Sequence, residues 1–116
     1  MIGFDLQDVK RIKDEDKLLS KIALDGELEY INKFKCEKRE RVASLWSVKE
    51  AVFKALDVRE GEISFKEIEL CHKDSGRPYI KLHGKALARF EALGAEKIDV
   101  SISHQESVVG AVAIVE

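Results

Sequence analysis

Trp46-Ser47-Val48-Lys49-Glu50-Ala51-Val52-Phe53-Lys54-Ala55-Leu56 is the stretch from which the rest of the chain can be placed. Val48, Ala51, Val52, Ala55 and Leu56 recur at the helical period, so a helix with one apolar stripe turned to the core is expected. Ser47 has the chemistry of an N-cap, and Glu50 stands three residues later at the spacing of a capping box. Glu50 and Lys54 then lie one turn apart on another face, with Lys49 and Phe53 beside them. Two readings stay open on these residues alone. One is a surface ion pair worth on the order of a few tenths of a kcal/mol; the other is a carboxylate and an ammonium set out for chemistry.

Toward the N-terminus, charges dominate from Cys36 to Leu45, either as part of the same helix or as a second helix meeting it near Ser44. After the Asp25-Gly26 breaker, Glu27 to Phe34 reads as a short helix with Leu28, Ile31 and Phe34 inward. Asp8 is expected to cap a helix reaching Ile22, with Val9, Ile12, Leu19 and Ile22 on its apolar side. Lys10, Lys13, Lys17 and Lys21 form a basic stripe on the other side, with Arg11 beside it. Ile2 to Leu6 alternates as a strand does, with Ile2, Phe4 and Leu6 as its buried side and Gly3 and Asp5 opposite.

Toward the C-terminus, Asp57 to Gly61 ends the central helix, and Ile63 to Leu70 reads as a strand with a slip in its alternation. Lys73 to Arg77 has turn chemistry, and Pro78 to Leu82 follows as a second strand with proline at its first position. Gly84 to Leu93 is a helix stopped by Gly94. A hairpin closes the sequence, with arms Ile98–Ser103 and Val108–Val115 and a turn through His104–Ser107. Its second arm is almost wholly apolar, so both faces of that strand are expected to be covered. His72 and His83 read as surface residues. The elements add up to one α+β domain over residues 1–116, an antiparallel sheet with helices packed on it.

Composition narrows the function classes. The chain has 116 residues, 45% hydrophobic and 36% charged, with a single proline, which is the make-up of a folded globular domain. A formal net charge of −2 gives no overall attraction to nucleic acid or to an anionic membrane. Cys36 and Cys71 are far apart and lack metal-ligand spacing, which points away from a disulfide framework or structural zinc and toward a reducing cytoplasm. No segment has the length and apolarity of a membrane span.

Four short motifs, taken in order, resemble a known family. They are Gly3-Phe4-Asp5 with Lys10-Arg11-Ile12; Trp46-Ser47-Val48-Lys49-Glu50-Ala51 with Lys54-Ala55-Leu56; Ser75-Gly76-Arg77-Pro78; and Ser101-Ile102-Ser103-His104. Together they are similar to the holo-(acyl-carrier-protein) synthases, the small branch of the 4′-phosphopantetheinyl transferases. The resemblance implies an enzyme of fatty acid biosynthesis that moves the phosphopantetheine arm of coenzyme A onto a serine of an apo-acyl carrier protein, releasing adenosine 3′,5′-bisphosphate. By resemblance Asp5 and Glu50 ligate magnesium, and Glu50 takes the serine proton, directly or through a bound water. Lys54 neutralises phosphate and assists the leaving group, while Gly76, Arg77, Pro78 and His104 approach the nucleotide.

The resemblance also implies a homotrimer with sites at the subunit boundaries. An acidic carrier would find its complement in the lysine stripe. Three departures stand out. Leu45 and Trp46 occupy positions where many members carry arginine and phenylalanine; Asp57–Gly61 replaces a glycine-rich turn; and Gln7 stands where the larger branch has a third acidic ligand, which leaves water to complete the coordination. The competing reading, from a different class, is a non-catalytic module that binds coenzyme A or carrier protein.

Overall fold

The open choice around Ser44 resolves to one helix. A computed structural model describes residues 1–116, and Lys38–Ala55 form a continuous helix, α3, of 18 residues. Ser47 is therefore interior rather than an N-cap. It is fully buried, and its hydroxyl donates to the Asp5 carbonyl at 3.1 Å, which joins α3 to the first strand. The expected stripe holds: Val48, Ala51, Val52, Ala55 and Leu56 are all fully buried. Leu56 and Asp57 follow the last turn, and Asp57 adopts φ 52°, the left-handed backbone usual just past a helix end. The free carbonyls there are satisfied from outside, since Arg89 Nε donates to the Leu56 carbonyl at 2.9 Å.

β1 (Ile2–Asp8) runs antiparallel to the last strand, which itself pairs antiparallel with the strand before it. Numbered in chain order these are β1, β5 (Val108–Val115) and β4 (Ile98–Gln105), in spatial order β1-β5-β4. α3 packs on one face of this sheet. The face it covers is the reverse of the one expected for β1. Gly3 and Asp5 point inward, whereas Ile2, Phe4 and Leu6 are 68%, 57% and 58% exposed. The reason is steric, because a Cβ on Gly3 would lie 1.9 Å from the Ala51 carbonyl oxygen and 2.6 Å from the Ala55 nitrogen. Only glycine lets strand and helix backbones approach this closely. Val109, Ala111, Ala113 and Val115 continue the buried face along β5.

The remaining elements shift from expectation at their boundaries. No helix starts at Asp8; β1 runs to that residue, Val9–Arg11 make a single 3₁₀ turn, and α1 covers Glu15–Ile22. Asp14 is its cap, accepting from the Lys17 N–H at 3.0 Å. α2 (Asp25–Asn32) ends before Phe34. Phe65–Glu67 form a 3₁₀ turn, so the strand expected from Ile63 begins only at Ile68, as β2 (Ile68–His72). β2 pairs with β3 (Pro78–Leu82) as a separate two-stranded sheet, so the strands form two antiparallel sheets rather than one. α4 covers Gly84–Ala92, as expected. The final turn is tighter than read, with His104 and Gln105 inside β4.

Two residues missed in the sequence tie these pieces together. Lys49 is fully buried; its ammonium donates to Glu27 Oε1 at 2.8 Å, to the Phe65 carbonyl at 2.9 Å and to the Ile22 carbonyl. Glu27 accepts in turn from the Leu24 N–H at 2.8 Å and the Leu70 N–H at 2.7 Å. Burial lowers the Lys49 pKa, and Glu27 opposes that shift. One ion pair thus fixes α1, α2, α3 and β2 against each other, and removing either partner would strand a buried charge.

Candidate active site

Asp5, Glu50 and Lys54 meet where β1 crosses α3. Asp5 is only 8% exposed, because its strand face lies under the helix. Its Oδ1 accepts from Lys54 Nζ at 3.3 Å and its Oδ2 from Gln7 Nε2 at 2.8 Å. Lys54 Nζ also donates to the Phe4 carbonyl at 3.0 Å, while the rest of its side chain stays largely in solvent. Forty-nine residues separate Lys54 from Asp5, and the close approach at Gly3 is what brings them together. Glu50, one turn before Lys54, is half-buried. Its carboxyl is held above the usual carboxylate range, first by burial and then by the neighbouring Asp5 charge, with Lys54 pulling the other way and Glu60 adding to the rise. Glu60 had no signal in the sequence beyond lying after the helix end.

These donors are oxygens alone, the set that suits a hard cation. No cluster of three or more histidine, cysteine, aspartate or glutamate side chains able to hold a metal is present. Gln7, bonded to Asp5, orients that carboxylate without adding charge.

The other residues singled out in the sequence lie elsewhere. Gly76 sits at φ 91° in the β2–β3 turn, its N–H bonded to the Lys73 carbonyl at 2.8 Å; Arg77 is exposed and Pro78 opens β3. His104 faces the first turn of α3, where its Nε2 lies 3.1 Å from Glu40 Oε1. His83 is exposed and pairs with Glu69 at 2.8 Å, but His72 is not a surface residue: it is half-buried and stacked on Tyr30 with centroids 3.8 Å apart. The basic stripe is rebuilt by the change in α1. Arg11, Lys13, Lys17 and Lys21, without Lys10, line a groove of about 470 Å³ whose apolar floor includes Ile12, Leu18 and Trp46. Gln7 lines the same groove, so its inner end adjoins Asp5.

Fold and site together define a class. Residues 1–113 match the family model described as the 4′-phosphopantetheinyl transferase superfamily. The holo-(acyl-carrier-protein) synthase of Caldicellulosiruptor bescii is 44% identical over 99% of this chain and 96% of its own length. The crystal structure of the Helicobacter pylori holo-(acyl-carrier-protein) synthase in complex with coenzyme A superposes with a TM-score of 0.85 at 27% identity, covering 100% of both chains. That of the Neisseria meningitidis holo-(acyl-carrier-protein) synthase gives 0.85 at 28% identity over 99% of this chain and 96% of that one. The chain belongs to the holo-(acyl-carrier-protein) synthases of that superfamily and is an enzyme.

Proposed function

We propose that this enzyme transfers the 4′-phosphopantetheine group of coenzyme A to a serine of an apo-acyl carrier protein, leaving holo-carrier and adenosine 3′,5′-bisphosphate. The carrying observation is the convergence of Asp5, Glu50 and Lys54 from two distant segments beside an open basic groove. Asp5 and Glu50 would hold a magnesium ion, which would supply charge neutralisation to the pyrophosphate oxygens when bound. Lys54 stands over Asp5 and the end of β1, where its ammonium can meet the charge that grows on the leaving phosphate. Glu50 accepts the proton of the attacking serine hydroxyl at its carboxylate, a role that suits a half-buried carboxyl with a raised pKa. Arg11, Lys13, Lys17 and Lys21 receive the acidic carrier, and the groove leads its serine toward Asp5.

The proposal extends to assembly and setting. The outer face of β1 and β5 exposes Ile2, Phe4, Leu6, Val108 and Ile114, a contiguous apolar surface of the kind that another copy of the chain covers. By family resemblance the assembly is a closed ring of three, with each site at a subunit boundary. Cys36 and Cys71 are both free thiols, which accords with a cytoplasmic enzyme, and no helix is long and apolar enough to cross a membrane.

The test is direct. Incubated with apo-carrier, coenzyme A and magnesium, the protein should add one phosphopantetheine to the carrier by intact mass spectrometry. A chelator should stop the reaction, and Glu50→Gln should abolish it with the circular dichroism spectrum unchanged. A Glu50→Gln variant turning over at the wild-type rate would refute the assignment.

A further inference from the structure

The inner end of the basic groove is closed by a side chain with two different ends. Gln7 lies on the same face of β1 as Gly3 and Asp5, and its backbone is pinned. It pairs with Val109 of β5, Asp8 pairs with Val108, and the Val9 N–H donates to the Ser107 carbonyl at 2.7 Å. The contact with Asp5 allows its carboxamide one orientation. A carboxylate oxygen can only accept, so the atom 2.8 Å from Asp5 Oδ2 is Nε2, and Oε1 turns the other way. No group of the chain donates to Oε1. It is nonetheless open to solvent, since Arg41 Nε is the one buried side-chain atom left without a partner.

What surrounds Oε1 narrows its partner. The groove that Gln7 lines is walled by Arg11, Lys13, Lys17 and Lys21, whose side chains carry donors only. Ile12, Leu18 and Trp46 add no acceptor to its floor. Asp14, the carboxylate of that wall, spends Oδ1 on the Lys17 N–H as the cap of α1. Gln7 Oε1 is therefore the free neutral acceptor at the end that adjoins Asp5. Cations along the walls attract an acidic partner but cannot hold any of its N–H or O–H hydrogens. A neutral carbonyl can, and it does not repel that partner as another carboxylate would.

We propose that Gln7 positions the carrier's serine, its Oε1 accepting a hydrogen bond from the serine main-chain N–H while its Nε2 holds Asp5. This deepens, and rests on, the carrier reading given above. A serine residue offers two donors, its hydroxyl and its main-chain N–H. The hydroxyl hydrogen goes to Glu50 as the oxygen bonds phosphorus, so a hydroxyl tied to Gln7 would be held back from that step. The main-chain N–H keeps its hydrogen throughout the transfer and is the donor suited to a fixed acceptor. One carboxamide then joins the carrier backbone to Asp5, and the spacing between them is set by the length of a single side chain.

The experiment measures binding of apo-acyl carrier protein by calorimetry, with a chelator present and no coenzyme A, so that neither metal nor turnover enters. Gln7→Met keeps the length of the side chain and removes its carbonyl. It should weaken binding about five- to tenfold, the worth of one neutral hydrogen bond, with the circular dichroism spectrum unchanged. A carrier whose acceptor serine is changed to alanine keeps the main-chain N–H and should lose the same factor. A loss confined to the serine carrier would overturn the main-chain contact. Asp5→Asn should leave carrier binding nearly unchanged; a loss equal to that of Gln7→Met would mean that Gln7 acts only through Asp5, and would overturn the contact as well. In the mass assay with magnesium, Gln7→Met should raise KM for the carrier and leave KM for coenzyme A unmoved, whereas equal rises in both would count against it. Wild-type protein that binds no apo-carrier would sink the carrier reading and this contact with it. Gln7→Met binding as tightly as a wild type that does bind would sink the contact alone.

Discussion

The two faces of the β1-β5-β4 sheet differ in a way that hydrophobicity does not foretell. The face under α3 is built of Gly3, Asp5, Ala111 and Ala113, with Val109 and Val115 at its ends, and it is buried. The opposite face is built of Ile2, Phe4, Leu6, Val108 and Ile114, and it is open. The smaller and more polar side of β1 is thus the inner one. Small residues let a helix backbone lie almost on the strand, which is how a carboxylate at position 5 comes within reach of Lys54. The large apolar side is left open, and it is the surface proposed above to meet another chain. Which face is core is decided here by how close two backbones must come.

That contrast can be attacked from both sides. The largest effect is expected at Gly3, where valine would drive its side chain into the Ala51 carbonyl, a clash with backbone that no rotamer relieves. Gly3→Val should cost at least about 3 kcal/mol, the upper range for overpacking, read as a lower urea midpoint. An unshifted midpoint would mean that strand and helix are not pressed together.

On the open face the same kind of insult should act on assembly rather than on the fold. Phe4→Glu should keep the helical circular dichroism signal but run as a monomer in light scattering, with transferase activity lost in parallel. If the variant stays assembled and active, the outer face is not the interface. The smallest effect is expected for Ser47→Ala, which removes the hydroxyl bonded to the Asp5 carbonyl across the inner face. A loss of about 1 kcal/mol in urea unfolding is expected, the net worth of one such bond. No loss would show that the Gly3 approach alone holds β1 in place.

Much of this was legible in local pattern. The helical stripe of Val48, Ala51, Val52, Ala55 and Leu56 sits as read, as do α4 and the apolar character of β5, and both hairpins form with shifted ends. The errors share a cause. Ser47 and Glu50 have capping spacing, but helix starts depend on what lies upstream, and Arg39, Arg41 and Glu40 are good helix formers that carry α3 back to Lys38. Asp8 and Asp14 both have cap chemistry, and the choice of Asp14 follows from β1 running on to Asp8 in its pairing with β5. The pairing of Lys49 with Glu27 had no signal in the sequence, because nothing local shows that residues 22 apart are buried against each other.

The sequence by itself determined most of the secondary elements but not their boundaries, because periodicity and turn chemistry act over a few residues, and its ordered motifs marked Asp5, Glu50 and Lys54 as belonging together. Only the tertiary structure decided which face of β1 turned inward, where Lys49 found its partner, and that Arg41 lies across α3 from Glu50. Those outcomes depend on volumes and distances between segments far apart in the chain, where a missing Cβ or an unpaired guanidinium acquires meaning only from what is packed against it.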